Sequence, residues 1–530
     1  MKNYLIDSAM EEICESILYA NSPWLKDTRY FNKNNHKPEN FHRQAYWEVE
    51  KKVLHERPCG IFIKGPRRVG KTELQKQLIW HLAEGGKSHT KLNPKTILYL
   101  SFDDARIQSE PPLKRVVFVN QILDVWARKF LGADSYEEIS KKVFCFFDEV
   151  QSVENWDVLI KNKLERKPEI PIVFSGSATH TLFKMAEKTL LGRLNKIIEL
   201  GPFSFNEYLQ KNSAFGNGFG IGVKVPLHVR GQEFKADFDV PRLYQHLHEW
   251  SKNHIILSTK IQKKLTDYLL DGGFPQLWKM RKMSGSSLLE QYQFMDENYV
   301  KKTTLEDLML LQQIKKPELY ERLFRHLFAR PGQEYNLNKT AGELGTTAVT
   351  MAEAMRLLEQ TDLFIFAERY SSKSAPIKKR NVKIYPVDLQ LTTAITKKIA
   401  SLRDDNMKGA IAESLVAQAL RRLFGSSYRL AFMRSDAFEN AGEVDFLLQH
   451  EAGSICPIEV KYQNNLNPED YVFMKNILQS KNALEMTFSS MSCGIIITPN
   501  KWGYITDGCN IFCIPLWAFL LIAGNVKWLI

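Results

Sequence analysis

The sequence has 530 residues, of which 44% are hydrophobic, and a formal net charge of +12. This length exceeds one ordinary core, so we expect about three or four domains, and the apolar content excludes an intrinsically disordered chain. The basic excess suits a polyanion such as nucleic acid, although dispersed Lys and Arg are also ordinary on a solvated surface.

The cysteines and the apolar segments indicate the cellular compartment of the protein. Seven dispersed cysteines without paired CxxC clusters indicate neither a zinc site nor a disulfide framework. The segment from Met1 has early acidic residues and no apolar stretch of the signal-peptide type. The most apolar run, 511–524, contains Pro515 and is shorter than the roughly 20 residues of a membrane-spanning helix. We therefore expect reduced thiols, a cytoplasmic location and no membrane partner.

A phosphate-binding loop is the strongest feature of the sequence. After a polar helical segment over residues 1–58, to which we assign no chemistry, an apolar strand at 61–63 precedes a G-x-x-x-x-G-K-T motif and a helix. The motif consists of Gly65, Pro66, Arg67, Arg68, Val69, Gly70, Lys71 and Thr72. Its glycines let backbone N–H groups face a phosphate, and the helix N-terminus adds positive charge. We expect Lys71 to reach the β- and γ-phosphates of ATP and Thr72 to hold Mg²⁺.

Two further strands end in polar residues. The apolar run 143–147 is followed by Asp148 and Glu149. We expect Asp148 to hold the Mg²⁺ shell and Glu149 to polarise the attacking water. The strand at 170–174 ends in Ser175 and Ser177, which either sense the γ-phosphate or only form a tight turn. An earlier strand at 96–102 is also predicted.

Arg193 follows the next helical stretch. We favour a catalytic nucleotide contact over a surface position, because an arginine there would neutralise transition-state charge. The contact could be made to the γ-phosphate of its own subunit or, as an arginine finger, to that of a neighbour in a homo-oligomer.

The order of these motifs resembles a known family. The P-loop and four later motifs resemble those of the archaeal-type AAA+ ATPases, which are related to the STAND signalling NTPases. The later motifs are Phe147-Asp148-Glu149-Val150-Gln151, Ser175-Gly176-Ser177, Gly192-Arg193 and Pro202-Phe203-Ser204-Phe205. The resemblance implies an α/β fold with a P-loop parallel-sheet core, a helical lid and often a C-terminal domain of restriction-nuclease type. Residues 210–260 fit least well, and we interpret their glycine-rich stretch 216–222 as an inserted loop. The pattern resumes at Gly272-Gly273-Phe274-Pro275 in the expected lid.

Residues 317–386 have the pattern of a winged helix. Helices are predicted at 318–330, 338–344 and 346–360, and strands at 363–366 and 382–385. The strands would flank a basic wing that holds Lys373, Lys378, Lys379 and Arg380. The third helix and the wing of such a domain contact DNA, but this third helix carries little positive charge. DNA binding and a purely structural or autoinhibitory role therefore both remain open.

A second group of candidate catalytic and metal-binding residues lies in residues 409–500. A helix at 409–423 carries Glu413, strands follow at 428–433, 443–448 and 457–461, and a last strand at 493–498 closes the sheet. Asp445 and Glu459-x-Lys461 match the PD-(D/E)xK nuclease pattern, with Val444 in place of its proline. We expect Asp445 and Glu459 to share Mg²⁺, Lys461 to orient the attacking water and Glu413 to complete the metal shell. Alternating Glu and Lys is also ordinary on an exposed strand, whereas the resemblance favours the nuclease.

The sequence therefore predicts five segments: 1–58, an N-terminal helical segment; 59–200, the ATPase core; 201–316, a lid with an inserted loop; 317–395, a winged helix; and 396–530, a nuclease-like domain. The leading hypothesis is an ATPase that gates Mg²⁺-dependent DNA cleavage, with defence against mobile DNA as a setting that rests on analogy alone. The alternatives are a regulatory nucleotide switch that binds DNA or a partner without cleaving, and a ring-forming ATPase that remodels nucleic acid.

Overall fold

The chain divides into two compact units, Met1–Gly201 and Pro202–Ile530, and each has its own β-sheet. The computed structural model describes residues 8–27, 29–32, 37–55, 60–85, 90–177, 188–212, 240–283, 285–303, 317–359, 361–370, 381–397, 405–424, 428–435, 442–450, 455–463, 465–479, 493–506 and 508–523. The predicted glycine-rich loop at 216–222 and the basic residues of the predicted wing lie outside these ranges.

The sheet of the first unit is parallel in every described pairing. Its strands are β1 (Gly60–Lys64), β2 (Ile97–Ser101), β3 (Phe144–Asp148), β4 (Ile172–Gly176) and β5 (Leu194–Glu199). Their spatial order is β2-β3-β4-β1-β5. The strands β1, β3 and β4 are buried along their whole length, because helices cover both faces of a parallel sheet.

Helices connect the strands of this unit. They are α1 (Ser8–Asn21), α2 (Gln44–His55), α3 (Lys71–Glu84), α4 (Ala105–Gln108), α5 (Pro112–Trp126) and α6 (Trp156–Arg166). The helix α3 begins directly after the P-loop, since Gly70 adopts a left-handed conformation with a φ of 97° and the helix starts at Lys71. The chain thus runs from strand to glycine-bounded loop to helix, as the sequence predicts.

The N-terminal segment covers the outer edge of β2. The Ser22 hydroxyl donates to the Tyr99 carbonyl at 2.7 Å and accepts the Tyr99 N–H at 2.9 Å. The Trp24 indole donates to the Ile97 carbonyl at 2.8 Å, and the Asn21 side chain accepts the N–H of Ser101 at 2.9 Å. These side chains occupy backbone groups of an edge strand that would otherwise be open to another chain. The segment to which sequence analysis assigned no chemistry therefore has a structural role.

The second unit begins with a helical region and continues into a mixed α/β region. Its helices are α7 (Phe205–Lys211), α8 (Val240–Asn253), α9 (Ile255–Asp271), α10 (Pro275–Met283), α11 (Leu288–Met295), α12 (Pro317–Ala329), α13 (Leu337–Glu343), α14 (Ala348–Glu359), α15 (Leu389–Thr396), α16 (Asp405–Phe424), α17 (Val472–Gln479) and α18 (Leu516–Ala523). Within the described residues, none of the helices combines the length and the apolar character needed to cross a membrane.

One mixed sheet runs through the segments predicted as a winged helix and as a nuclease-like domain. Its strands are β6 (Glu334–Tyr335), β7 (Phe364–Arg369), β8 (Val382–Pro386), β9 (Tyr428–Ser435), β10 (Gly442–His450), β11 (Ile455–Val460), β12 (Cys493–Thr498), β13 (Gly503–Ile505) and β14 (Asn510–Pro515). Their order is β13-β14-β12-β11-β10-β9-β7-β8-β6. The strands β7 and β9 join the two parts through a short parallel pairing of Glu368 with Ala431 and of Arg369 with Phe432.

The double glycine of the expected lid lies in a tight joint within the second unit. The Gly273 N–H donates to the Asp388 carboxylate at 2.5 Å, and the Phe203 N–H donates to the Gly273 carbonyl at 2.6 Å. Gly272 has a φ of 67°, and a Cβ there would overlap the Gln390 side chain. Only glycine fits this close approach, so the motif brings α9, α10 and the start of α15 together.

Candidate nucleotide site and acidic cluster

The P-loop connects β1 to α3 at the carboxyl edge of the parallel sheet. Gly65 has a φ of 152°, and a Cβ at this position would overlap the Leu200 carbonyl oxygen. Arg68 and Gly70 also have positive φ values, of 61° and 97°. This curled backbone followed by a helix N-terminus is the geometry that cradles phosphate groups.

Lys71 lies folded into the loop. Its ammonium donates to the carbonyls of Gly65 at 2.9 Å and Pro66 at 3.0 Å, and the side chain is buried. Arg43, from the segment before α2, donates to the Val69 carbonyl at 2.9 Å and supports the loop from outside. Arg43 was not predicted from the sequence, because no local motif marks an arginine that binds a distant carbonyl.

The Asp148 carboxylate accepts hydrogen bonds from three neighbouring elements. It accepts from the Thr72 hydroxyl at 2.5 Å and from the Tyr99 hydroxyl at 3.0 Å. The Ser175 hydroxyl also donates to it, and the Glu149 N–H does so at 3.0 Å. Ser175 is therefore directed at Asp148. Tyr99 was not predicted, although a tyrosine in a buried strand ordinarily needs a partner for its hydroxyl.

Glu149 has a left-handed backbone conformation with a φ of 47°. The Gln151 amide donates to its carboxylate and, at 2.8 Å, to the Ser177 hydroxyl, whose oxygen lies 3.3 Å from the same carboxylate. Burial alone would raise the pKa of Glu149, but the charges of Lys71 and Arg67 and the Gln151 hydrogen bond lower it overall. Glu149 is thus held as a carboxylate in a half-buried place, as a general base requires.

The residues around Thr72 fit a magnesium ion and a nucleoside triphosphate. Hydroxyl and carboxylate oxygens are the donors that Mg²⁺ prefers, and the Thr72 and Asp148 oxygens already lie at 2.5 Å from each other beside the P-loop. The buried ammonium of Lys71 bonds to carbonyl oxygens of the loop that surrounds the phosphate position.

Arg193 lies at the amino-terminal ends of the strands, whereas the P-loop lies at their carboxyl-terminal ends. It directly precedes β5, and its carbonyl accepts the N–H of Gly60, at the start of β1, at 3.1 Å. Because a strand rises about 3.3 Å per residue, the P-loop edge is about 15 Å away. The Arg193 guanidinium forms an ion pair with Glu165 on α6. The γ-phosphate of its own subunit is therefore out of reach, and the contact to a neighbouring subunit and the surface position both remain open.

A cluster of carboxylates, hereafter the acidic cluster, lies in the second unit. Its members are Glu413 on α16, Glu443 and Asp445 on β10 and Glu459 on β11. The Asp445 N–H donates to Glu459 at 3.3 Å, and the Asp445 carboxylate accepts the Val460 N–H at 2.9 Å. Lys461 pairs with Glu459 at 2.9 Å. The structure thus brings the four predicted residues Glu413, Asp445, Glu459 and Lys461 into one region.

Lys383 lies inside the acidic cluster. This lysine belongs to β8, and its ammonium is 3.1 Å from Asp445, 3.8 Å from Glu413 and in contact with Glu443. Burial would lower its pKa, but the charges of Asp445, Glu413 and Glu443 raise it above its ordinary value. Lys383 was not predicted from the sequence, because its strand belongs to another predicted domain and only the tertiary fold brings it here.

The acidic cluster as arranged does not fit a metal ion. Burial and the charge of Asp445 raise the pKa of Glu413 to about 8 and that of Glu459 well above its ordinary value. Tyr385 donates to Glu413 at 3.2 Å, and Lys383 and the Val460 N–H hold the two Asp445 oxygens. Among the residues that the structure describes, no group of three or more His, Cys, Asp or Glu side chains is arranged to hold a metal.

The first unit thus contains an AAA-type ATPase domain. It combines a parallel sheet in the order β2-β3-β4-β1-β5, a P-loop after β1 and an Asp-Glu pair at the end of β3. Residues 59–209 match the family model described as an AAA domain. Residues 262–401 match a domain of unknown function (DUF8612), and residues 408–519 match another (DUF4143).

Similar proteins include two from Methanocaldococcus jannaschii. The uncharacterized protein MJ1637 is 24% identical over 381 residues, which cover 70% of this chain and 69% of that protein. The uncharacterized protein MJ1544 is 25% identical over 421 residues, which cover 76% and 74%.

Two solved structures show slight likenesses. Caenorhabditis elegans PCH-2 is 20% identical at a TM-score of 0.22, with 41% of this chain and 52% of that chain covered, so this chain spans about half its length. The Aeropyrum pernix ORC1 protein, solved in complex with DNA, is 10% identical at a TM-score of 0.29, with 72% and 97% covered. TM-scores this low do not establish a shared arrangement.

Proposed function

We propose that this chain hydrolyses ATP at the P-loop and that the nucleotide state acts as a switch on its C-terminal half. One observation carries the ATPase part. The Thr72 hydroxyl, the Asp148 carboxylate and the Glu149 carboxylate lie together beside a curled loop that holds a lysine ammonium. These are the groups that position a phosphoryl group and its attacking water.

Each residue has a distinct task in this proposal. Lys71 exchanges its bonds to the Gly65 and Pro66 carbonyls for bonds to phosphate oxygens, and Thr72 and Asp148 hold the metal. When bound, Mg²⁺ neutralises the charge on the phosphate oxygens during transfer. Glu149 orients the attacking water and accepts its proton, while Gln151 and Ser177 fix the direction of its carboxylate.

The test uses two variants with different expected defects. Lys71→Ala should lose nucleotide binding, since the main charge opposite the phosphates is gone. Glu149→Gln should keep binding but lose at least about a hundredfold in kcat, as expected when a general base is removed. Binding is measured with a fluorescent ATP analogue and turnover by phosphate release, with the exposed neighbour Glu154→Gln as the control. Turnover by Glu149→Gln at the wild-type rate would show that another group activates the water.

For the C-terminal half we propose DNA cleavage of the PD-(D/E)xK type, in an arrangement of the acidic cluster that admits a metal ion. Support comes from the order α16, β9, β10, β11, α17, β12 and from the proximity of Asp445, Glu459 and Lys461. The order α12, β6, α13, α14, β7, β8, with β8 between β6 and β7, resembles that of a winged helix and is the support for a proposed DNA contact there.

A regulatory switch that binds DNA or a partner without cleaving is the second candidate function. The position of Lys383 favours it, because the arrangement of the acidic cluster offers no metal site.

Cleavage of DNA by the full-length chain with Mg²⁺ or Mn²⁺, with and without ATP, separates the two. Under the nuclease proposal, Asp445→Ala abolishes cleavage, whereas Glu469→Gln on the exposed surface nearby leaves it unchanged. Intact ATP hydrolysis without cleavage under any condition supports the regulatory switch.

A further inference from the structure

We propose that Lys383 is an internal cation that excludes divalent metal ions from the acidic cluster, so that metal binds there only after β8 has withdrawn. The reaction that would follow rests on the proposed nuclease function. The exclusion of metal does not rest on that function, because it concerns metal binding alone.

The geometry shows one ammonium shared by three carboxylates. The Lys383 nitrogen lies 3.1 Å from Asp445 Oδ1 and 3.8 Å from Glu413 Oε2 and contacts Glu443 Oε1. These carboxylates come from α16 and β10, whereas the lysine comes from β8. A magnesium ion needs oxygen ligands at about 2.0–2.1 Å in octahedral geometry. The lysine and the metal would therefore compete for the same oxygens.

The balance of charge explains why the cluster would accept another cation. Four carboxylates, those of Glu413, Glu443, Asp445 and Glu459, meet the ammonium groups of Lys383 and Lys461. The raised pKa values of Glu413 and Glu459 keep both groups protonated near neutral pH, so the two ammonium groups balance the remaining negative charge of the cluster. Removing Lys383 leaves that negative charge uncompensated and opens the space among the oxygens, and buried carboxylates are normally paired or bound to a metal.

The position of the lysine depends on a strand outside the α16–β12 core. Lys383 and Tyr385 lie on the same face of β8, and the Tyr385 hydroxyl donates to Glu413 at 3.2 Å. The strand β8 pairs with β7, which joins β9 through the pairs Glu368–Ala431 and Arg369–Phe432. A displacement of β8 would remove the ammonium and the tyrosine hydroxyl together. Lys383 and Tyr385 thus link segment 317–395 to the acidic cluster.

The experiment measures Mn²⁺ binding to the full-length protein without nucleotide, by electron paramagnetic resonance of free Mn²⁺. The variants are Lys383→Met, Lys383→Arg and, as a matched control, Lys163→Met, which removes a buried lysine paired with Glu137 at 2.8 Å. We expect Lys383→Met to bind one Mn²⁺ with a Kd at least about tenfold lower than wild type, which equals about 1.4 kcal/mol. Lys383→Arg and Lys163→Met should bind as the wild type does.

A double variant assigns the signal to the acidic cluster. Adding Asp445→Asn to Lys383→Met should abolish the gain. If circular dichroism shows that Lys383→Met does not fold, Lys383→Met with Glu443→Gln removes one charge of each sign and is measured in its place. Equal Mn²⁺ affinity in wild type and in the lysine variant, or no binding in either, overturns the inference. A gain in Mn²⁺ affinity without DNA cleavage leaves the inference standing and refutes the nuclease.

Discussion

The two glycines of the P-loop differ in what a side chain would meet. At Gly65, an added Cβ would overlap the Leu200 carbonyl oxygen, whereas nothing lies within 4 Å of a Cβ at Gly70. Both residues have positive φ values, of 152° and 97°, so both substitutions carry backbone strain of about 1–3 kcal/mol. We predict that Gly65→Ala lowers the unfolding temperature clearly more than Gly70→Ala, as measured by differential scanning calorimetry. Equal losses would mean that Leu200 moves away without cost.

Sequence reasoning works at this scale where the chemistry is local. Lys71 and Thr72 follow from one short motif, and Asp148 and Glu149 follow from the end of one apolar strand. Tyr99 and Lys383 could not be found in this way, because each acts on a carboxylate of another strand. The register of β7 on β9, which places Lys383, has no signature in the sequence of either strand.

At the scale of the element, one hydroxyl satisfies two backbone groups at the edge of β2. The Ser22 side chain bonds both the N–H and the carbonyl of Tyr99 and is fully buried. Each buried polar group left without a partner costs about 1–3 kcal/mol. We predict that Ser22→Ala lowers the free energy of unfolding of the first unit by about 2–4 kcal/mol, as measured by urea denaturation.

The matched control for Ser22 is Ser16, which lies on the exposed side of α1 and donates to the Ile13 carbonyl at 2.7 Å. Ser16→Ala should change the free energy of unfolding by less than about 0.5 kcal/mol, as surface substitutions usually do. If both variants were equally stable, water would have to replace the Ser22 hydroxyl at the edge of β2.

The joint between Gly273 and Asp388 predicts a dependence on pH. Burial raises the pKa of Asp388 to about 6 from an ordinary 3.8, and the N–H groups of Gln390 and Gly273 oppose this only in part. Since the folded-state pKa is raised, the stability from this group is complete below pH 3.8 and is lost as the pH rises through about 6. Stability of the second unit should therefore increase as the pH falls from 7 to 5.

The measurement compares wild type with Asp388→Asn, which does not titrate. Over this range the wild type should gain about 1 kcal/mol relative to the variant, because folded-state protonation at a pKa of about 6 spans only about one pKa unit's worth of free energy, about 1.4 kcal/mol, between pH 7 and 5. Thermal unfolding followed by the near-ultraviolet circular dichroism of the tyrosines and tryptophans provides the readout. Parallel pH profiles would refute a titrating Asp388.

At the scale of the whole molecule, the position of Arg193 predicts shared active sites. Its guanidinium lies at the edge of the sheet opposite the P-loop, so a nucleotide contact requires a second copy of the chain. We predict that Arg193→Ala and Lys71→Ala are each inactive alone and that mixing them restores part of the ATP turnover. The restored rate should depend on protein concentration.

The control for the mixing experiment is Glu165→Gln, which removes the ion-pair partner of Arg193 but keeps the guanidinium. This variant should retain turnover. Mixtures that remain inactive at every ratio, with each protein folded, would contradict a shared site and leave Arg193 in a structural role.

The arrangement of the second unit was only partly predictable. Each strand between β7 and β12 has an apolar pattern, so its existence follows from the sequence. The pairing of β7 with β9, by contrast, places one continuous sheet across the predicted boundary between 317–395 and 396–530. Patterns within a strand report which side is buried, but they do not report which strand lies beside it.

The strand order of the first unit also determines when β1 can pair with its neighbours during synthesis. The strand β1 ends at Lys64, but both of its neighbours come much later, since β4 begins at Ile172 and β5 ends at Glu199. At about 5–20 residues per second, the ribosome needs about 5–20 s to make the chain between β1 and β4. During that time the strand before the P-loop has two open edges. A ribosome that stalls before residue 199 therefore leaves β1 without at least one complete partner strand.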